Sequence, residues 1–338
     1  DVGGASRPAG SARPGRLLRR RYSRLRLKLL IPPQYDSPFV PSVRGFYDVL
    51  IEYLDDRRDV DLAIHRDRGA FDADPALRKI TYHTRSETST NIKIGYLPDH
   101  FYVDASGYSG WASLANVVWR PGRYTAETDD RFEALSSYYI DNNLSKYAQQ
   151  DFDANDRDGS ADGVISIFTQ TMADRVAHFM PKRWDRFLQH LVERIVLANP
   201  DERIVIKRHP RCSDVRMSDA ISQIEERHAG RVELSCESIH RLIARSRAVF
   251  VGNSGVGFEA LLHAKPVFSF AHSDYHHATF PSALSEIGDY MEKIDAFDDE
   301  RRRLIRQFVV HYLDDYMVTC DASRIERRLE SLGLFRTD

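Results

Sequence analysis

Between residues 164 and 270, short runs of β-branched and aromatic residues alternate with segments of helical period, and few architectures accept such a pattern. VISIF (164–168), RIVIK (203–207), RVEL (231–234), AVFV (248–251) and PVFSF (266–270) read as buried strands. Between the first two, Phe187, Leu188, Leu191 and Ile195 recur on one face of a helix. Repetition of strand, helix and strand implies a parallel sheet with right-handed crossovers, and such sheets take ligands beyond the carboxyl ends of their strands. The first half carries elements of its own: KLLIPP (28–33), a helix around GFYDVLIEYLDD (45–56), VDLAIH (60–65) and KITYHT (79–84). The polar stretch DFDANDRDGSADG (151–163) reads as a loop between the halves. No start position within it gives an EF-hand register, so an acidic, solvated linker is expected there rather than a calcium site.

A chain of 338 residues has room for about two domains. Two α/β halves with a cleft between them suggest the GT-B arrangement, two Rossmann-like domains with the site in the cleft. The sequence is 42% hydrophobic and 29% charged, the balance of a soluble globular protein, and no apolar run approaches the roughly 20 residues that span a bilayer. Cys212, Cys236 and Cys320 form no CxxC pair, which argues against a disulfide framework or zinc site and for a reducing compartment, the cytoplasm. The net charge of −2 conceals an asymmetry. Residues 1–30 hold a strong excess of Arg and Lys, leaving about −10 on the rest. Residues 1–22 are expected to be a disordered basic tail, either simply solvated or in peripheral contact with anionic lipid on the cytoplasmic face of the inner membrane. An acidic body argues against nucleic acid as a partner.

Three segments place chemistry at one edge of the expected C-terminal sheet. In IVIKRHP (204–210), Pro210 ends the strand and leaves Lys207, Arg208 and His209 at a strand-to-loop transition. Such a triplet is either a solvated strand tip or a phosphate contact; by alternation along the strand, Lys207 is the one to share a pocket with His209. In VFVGNSGVGFEALLHAKPVFSF (249–270), Asn253, Ser254 and Gly255 lie between a strand and a helix, where free N–H groups and a positive helix end bind anions. Glu259, one turn further on, could accept from ribose hydroxyls. In ISIFTQTMADRV (165–176) the strand runs out into Gln170, Thr171 and Asp174, whose carboxylate could act as nucleophile, base, ribose ligand or helix cap. In the first half, YVDASGYSGWASLAN (102–116) sets Asp104 before glycines and aromatics, a pattern that suits a carbohydrate loop or an ordinary turn.

Taken in order, NLSKYAQ (143–149), QTMAD (170–174), KRHP (207–210) and NSGVGFEALLHAKPV (253–267) resemble the bacterial retaining β-Kdo transferases of capsule, O-antigen and lipopolysaccharide-core assembly. The resemblance implies a CMP-Kdo donor and a glycan or lipid-linked oligosaccharide acceptor. It implies Asp174 as the nucleophile that forms a glycosyl-enzyme, with His209, Ser254 and Gly255 at the CMP phosphate and Glu259 at the ribose. Gln170, Lys207, Pro210 and Asn253 fall in the same motifs as donor-binding candidates, and Asp104 stands where an acid/base toward the acceptor would be. Neither metal nor other cofactor is implied. The His-Pro and Ser motifs are also similar to those of bacterial sialyltransferases, which leaves another CMP-sugar transferase open, as well as a non-catalytic nucleotide-sugar-binding subunit. The expected organisation is an acceptor-side domain over 23–150, a linker over 151–163, a CMP-sugar domain over 164–315 and a C-terminal helix over 316–338. The sequence does not begin with Met, so the chain could be one module of a longer enzyme.

Overall fold

The computed structural model of the protein describes residues 24–150 and 163–336. The expected basic tail and, apart from Gly163, the expected linker lie outside the described residues. Two sheets organise the rest. The N-terminal sheet contains β1 (Leu25–Leu30), β2 (Val60–His65), β3 (Arg78–Tyr82), β4 (Thr90–Ile94) and β5 (Phe101–Asp104), in the order β2-β1-β3-β4-β5. All its pairings are parallel except that of β4 with β5. Helix α1 (Pro41–Asp55) begins with proline, which costs no hydrogen bond in the first turn, and buries Val43, Phe46, Tyr47, Leu50 and Leu54 along one stripe. A short α2 (Arg68–Ala73) follows β2, and α3 (Ala126–Asp141) follows β5. Tyr102 to Asp104, expected at the start of a loop over 102–116, instead belong to β5, whose four residues are all buried, with β4 as its antiparallel neighbour and Phe101 paired to Val318.

The C-terminal sheet is parallel throughout, with the strands expected between residues 164 and 270. Its elements are β6 (Val164–Phe168), α4 (Trp184–Ala198), β7 (Ile204–Lys207), α5 (Val215–Arg227), β8 (Val232–Leu234), α6 (Ile239–Ala244), β9 (Ser246–Val251), α7 (Gly255–Leu262), β10 (Val267–Ser269) and β11 (Phe280–Pro281). Helices α8 (Tyr290–Asp295), α9 (Asp299–Val310) and α10 (Ala322–Ser331) complete the described chain, with a π-helical turn over His311–Tyr316 between the last two. The order β11-β10-β9-β6-β7-β8 has one consequence for function. The chain runs outward from β6 through β7 to β8, then returns to the other side of β6 as β9, so a crevice opens where the carboxyl ends of β6 and β9 diverge.

Packing does not follow the linear division of the chain. Helix α3, inside the expected first domain, joins the core of the second: Phe132, Leu135 and Ile140 cluster with Leu261, Leu262, Phe308 and Val309. The Ser136 hydroxyl donates to the carbonyl of Leu262 at 2.6 Å. In the other direction α10, shorter than the helix expected over 316–338, returns to the N-terminal half and buries Ile325 and Leu329 with Leu27, Leu50 and Phe101. The spatial units therefore exchange elements at both ends. An apolar stripe on a helix shows that it must be covered but not by which sheet.

Candidate active site

The crevice between β6 and β9 holds a cavity of about 190 Å³. Lining it are Gln170, Asp174, Lys207, His209, Pro210, Asn253, Ser254, Gly255 and Glu259, all singled out by sequence motif. Three strand ends bring them together. After β6, the Thr169 hydroxyl accepts from the backbone N–H of His209 at 3.0 Å, tying the end of β6 to that of β7. Gln170 Oε1 accepts from the N–H of Asn253 at 3.3 Å, tying β6 to β9. Asn253 Nδ2 donates to the carbonyls of Val176 at 3.0 Å and His272 at 3.1 Å, while its Oδ1 is buried without a partner.

Ser254 caps α7, its hydroxyl accepting from the N–H of Val256 at 3.4 Å, and its carbonyl is held by the Tyr275 hydroxyl at 2.7 Å. Two glycines let this helix end approach its neighbours. A Cβ on Gly255 would meet the Tyr96 ring at 3.0 Å, and one on Gly257 would meet the Tyr275 hydroxyl at 2.5 Å. The first turn of α7 thus presents its positive dipole end to the cavity, with the N–H groups of Val256 and Gly257 turned back onto Ser254.

Asp174 caps the short helical turn Arg175–Phe179, accepting from the N–H of Val176 at 3.2 Å through Oδ1. His209 Nδ1 accepts from the N–H of Arg211 at 3.1 Å, so the neutral ring carries its proton on Nε2 as a donor. Burial lowers the pKa of this imidazole, partly offset by Asp174, and keeps it neutral at physiological pH. Glu259 lies at the cavity floor, 2% exposed, with Oε1 unpartnered. Burial raises its pKa to about 7.

Two expectations need revision. Asp104 does not face the cavity: it is fully buried, and its carboxylate accepts from the N–H groups of Ser106 (2.7 Å), Gly107 (2.9 Å) and Ser113 (3.1 Å), the Ser113 hydroxyl, and the Tyr316 hydroxyl at 2.8 Å. With Arg328 3.7 Å away, this carboxylate anchors a turn and has no lone pair to offer an acceptor sugar. Lys207 does line the cavity, as strand alternation implies, but its ammonium donates to the carbonyl of Glu237 at 2.6 Å. Arg208 also lines it and donates to the carbonyl of Cys212 at 2.7 Å.

Among the described residues, the cations left for a ligand are two that the motifs did not single out, Lys93 on β4 and Lys146 in the segment after α3. Lys93 stands 4.0 Å above the Tyr108 ring. Its pKa falls to about 7 through burial and the nearby charge of Lys146. Lys146 was present in the quoted NLSKYAQ motif, whereas Lys93 gave only the weak signal of a cation within the apolar run IKI. Beside them His83 adopts φ +53°, a left-handed conformation uncommon for this residue, and its Nε2 is buried without a partner. Among the described residues no group of three or more His, Cys, Asp or Glu side chains is placed to hold a metal ion. No helix among them is long and apolar enough to cross a membrane.

Residues 124–281, from the start of α3 to β11, match the family of capsule polysaccharide biosynthesis proteins. The resemblance to capsule-type transferases carried by the four motifs is thereby borne out over that stretch. Among solved structures, the chain is similar to the β-Kdo 2,4 transferase of Thermosulfurimonas dismutans KpsC at 17% identity and a TM-score of 0.53, over 86% of this chain and 92% of that one. The KpsC β-Kdo 2,7 transferase of the same organism is similar at 14% identity and a TM-score of 0.49, over 92% and 99%. An S. aureus MnaA–UDP structure is similar at 11% identity and a TM-score of 0.42, over 94% and 98%. No curated protein sequence matches significantly. The architecture is GT-B, two Rossmann-like domains of mixed α/β structure.

Proposed function

We propose that this chain, a GT-B protein whose residues 124–281 match the capsule polysaccharide biosynthesis family, is a retaining glycosyltransferase that moves Kdo from CMP-Kdo to a glycan acceptor. One observation carries the proposal: a nucleophile, a phosphate cradle and a nucleotide-side carboxyl converge on one cavity at the switch point of the C-terminal sheet. Asp174 attacks the anomeric carbon of the donor. The bond from that carbon to the phosphate oxygen breaks, and its electron pair leaves with CMP. His209 Nε2–H donates to the phosphate and the positive end of α7 stabilises the charge that builds on it, while Ser254 and Gly255 let it approach the helix end. Glu259 faces the ribose hydroxyls. The acceptor hydroxyl oxygen then attacks the anomeric carbon, the bond to Asp174 breaks with its electron pair returning to the carboxylate, the hydroxyl proton passes to solvent, and two inversions retain the donor's configuration. Asp104 has no part in this sequence.

The match to the capsule polysaccharide biosynthesis family supports a glycosyltransferase of surface polysaccharide assembly; the donor and the covalent intermediate are proposed on the strength of the motifs and of the residues that line the cavity. The test is incubation with CMP-Kdo alone, followed by intact-mass measurement and peptide mapping. A Kdo adduct on Asp174 is expected. Asp174→Asn is expected to abolish the adduct and slow transfer about 10³-fold or more, with binding of CMP retained. Undiminished transfer by this variant rejects the mechanism, and CMP release from a different CMP-sugar but not from CMP-Kdo reassigns the donor.

A further inference from the structure

In any double displacement on a 2-keto sugar acid, the nucleophile is an anion attacking a carbon that bears a second anion. The donor's carboxylate is bonded directly to the anomeric carbon, so it must come within a few ångströms of Asp174, and two like charges at that separation repel strongly in a half-buried site. The phosphate cradle at α7 cannot also neutralise this carboxylate, because it is occupied by the leaving group.

Among the described residues, four Lys and Arg side chains line the cavity, and they divide cleanly. Lys207 and Arg208 are committed to backbone carbonyls. Lys93 and Lys146 have no hydrogen bond or ion pair among the described residues, and Lys93 has only the Tyr108 ring against its ammonium. They come from opposite sources, β4 of the N-terminal sheet and the segment that leads toward β6. Both line the same cavity as Asp174, whose charge favours their protonated forms, and neither forms a salt bridge to it. Two lysines that line one cavity without a counter-ion disfavour each other's charged form until an anion joins them.

Resting on the donor assignment above, we infer that Lys93 and Lys146 form a second anion subsite, distinct from the phosphate cradle, that clamps the carboxylate of the sugar being transferred. Selectivity follows from what happens when the carboxylate is missing. A nucleotide sugar with a neutral sugar leaves both lysines unpaired in a filled cavity, a penalty that discriminates against it without any steric clash. The groups facing Lys93 are Lys146, Arg175, His83 and Tyr108, with the carboxylates of Asp174 and Asp274 beyond. Because Lys93 is held near pH 7, pairing with a carboxylate raises its proton affinity, and donor binding at pH 7.5 takes up a proton.

The test uses the Asp174→Asn chain, which prevents turnover, and compares binding of CMP with that of CMP-Kdo by calorimetry in buffers of different ionisation heat. CMP-Kdo is expected to bind roughly tenfold or more tightly than CMP, with proton uptake seen only for CMP-Kdo. Adding Lys93→Met or Lys146→Met is expected to remove most of that preference, with Lys93→Met also removing the uptake, while CMP affinity stays within about twofold. The unchanged CMP affinity shows that the cavity still folds. Preference and proton uptake that survive both substitutions overturn the subsite, as does equal binding of CMP and CMP-Kdo before either is introduced. If the parent binds neither ligand, the donor assignment itself fails.

Discussion

Two regions of this molecule enclose polar and charged side chains and treat them in opposite ways. At the seam between the two halves, Asp274 is fully buried, and its carboxylate accepts from the hydroxyls of Tyr96 (2.8 Å), Tyr102 (2.8 Å) and Tyr312 (2.7 Å). Tyr96 and Tyr102 belong to the N-terminal half and Tyr312 to the π-helical turn after α9, so one carboxylate fastens three separate segments. Asp104 is saturated in the same way by three backbone N–H groups, Ser113 and Tyr316. In the cavity that Tyr96 and Tyr102 also line, Glu259 and Asn253 each keep a buried oxygen without a partner, and the side-chain nitrogens of Lys93 and Lys146 have no hydrogen bond or ion pair among the described residues. A saturated buried charge holds a structure together, whereas an unsatisfied one costs stability unless a ligand completes it. The difference separates scaffold from site without reference to any relative.

Substitution should break this contrast in graded ways. The largest effect on folding is expected for Asp274→Ala, which strands three tyrosine hydroxyls in the seam. A loss of about 3–5 kcal/mol in denaturant unfolding is expected, and Asn at this position should recover part of it by restoring one acceptor. If Asp274→Ala unfolds at the wild-type midpoint, the seam does not hold the halves. His209→Ala comes next and acts on rate alone. Removing a single donor to a leaving group costs on the order of 10²–10³ in kcat, about 3–4 kcal/mol, while the melting temperature should stay within about 2 °C. A variant whose loss lies in stability would return His209 to a structural role.

Glu259→Gln gives the smallest effect and the one with a pH signature. Its carboxyl is held at about 7 in the folded chain against an ordinary 4.5, so the folded state binds the proton more tightly than the unfolded state. The resulting penalty is absent below pH 4.5, grows as pH rises to about 7 and is complete above it. Glu259→Gln is therefore expected to stabilise the protein by about 1–3 kcal/mol at pH 8 and by nothing at pH 4.5, while weakening CMP binding. Thermal unfolding across that range, with and without CMP, checks both parts.

Much of the cavity was legible before the fold was known, because phosphate-binding geometry is local. Ser254 and Gly255 sit at a strand-to-helix junction whose character follows from neighbouring residues, and Pro210 alone ends β7 after Lys207. Asp104 misled for a physical reason: an acid beside glycines and serines suits an anchored turn as well as a sugar loop, and only the five donors around it decide which. Lys93 was invisible as a site residue because nothing within IKI distinguishes a lysine facing a cavity from one facing water.

The sequence by itself determined the alternation of strand and helix, the parallel C-terminal sheet and the loops that end its strands, since periodicity and backbone restriction act over a few residues. Only the tertiary structure decided that α3 packs on the second half and α10 on the first, that Asp274 gathers tyrosines from as far as 178 residues away, and that Lys93 lines the same cavity as Asp174. Those contacts depend on which surfaces bury each other when the two sheets come together. Burial and the electrostatics it creates belong to the assembled whole, so no local pattern in the chain could have fixed them.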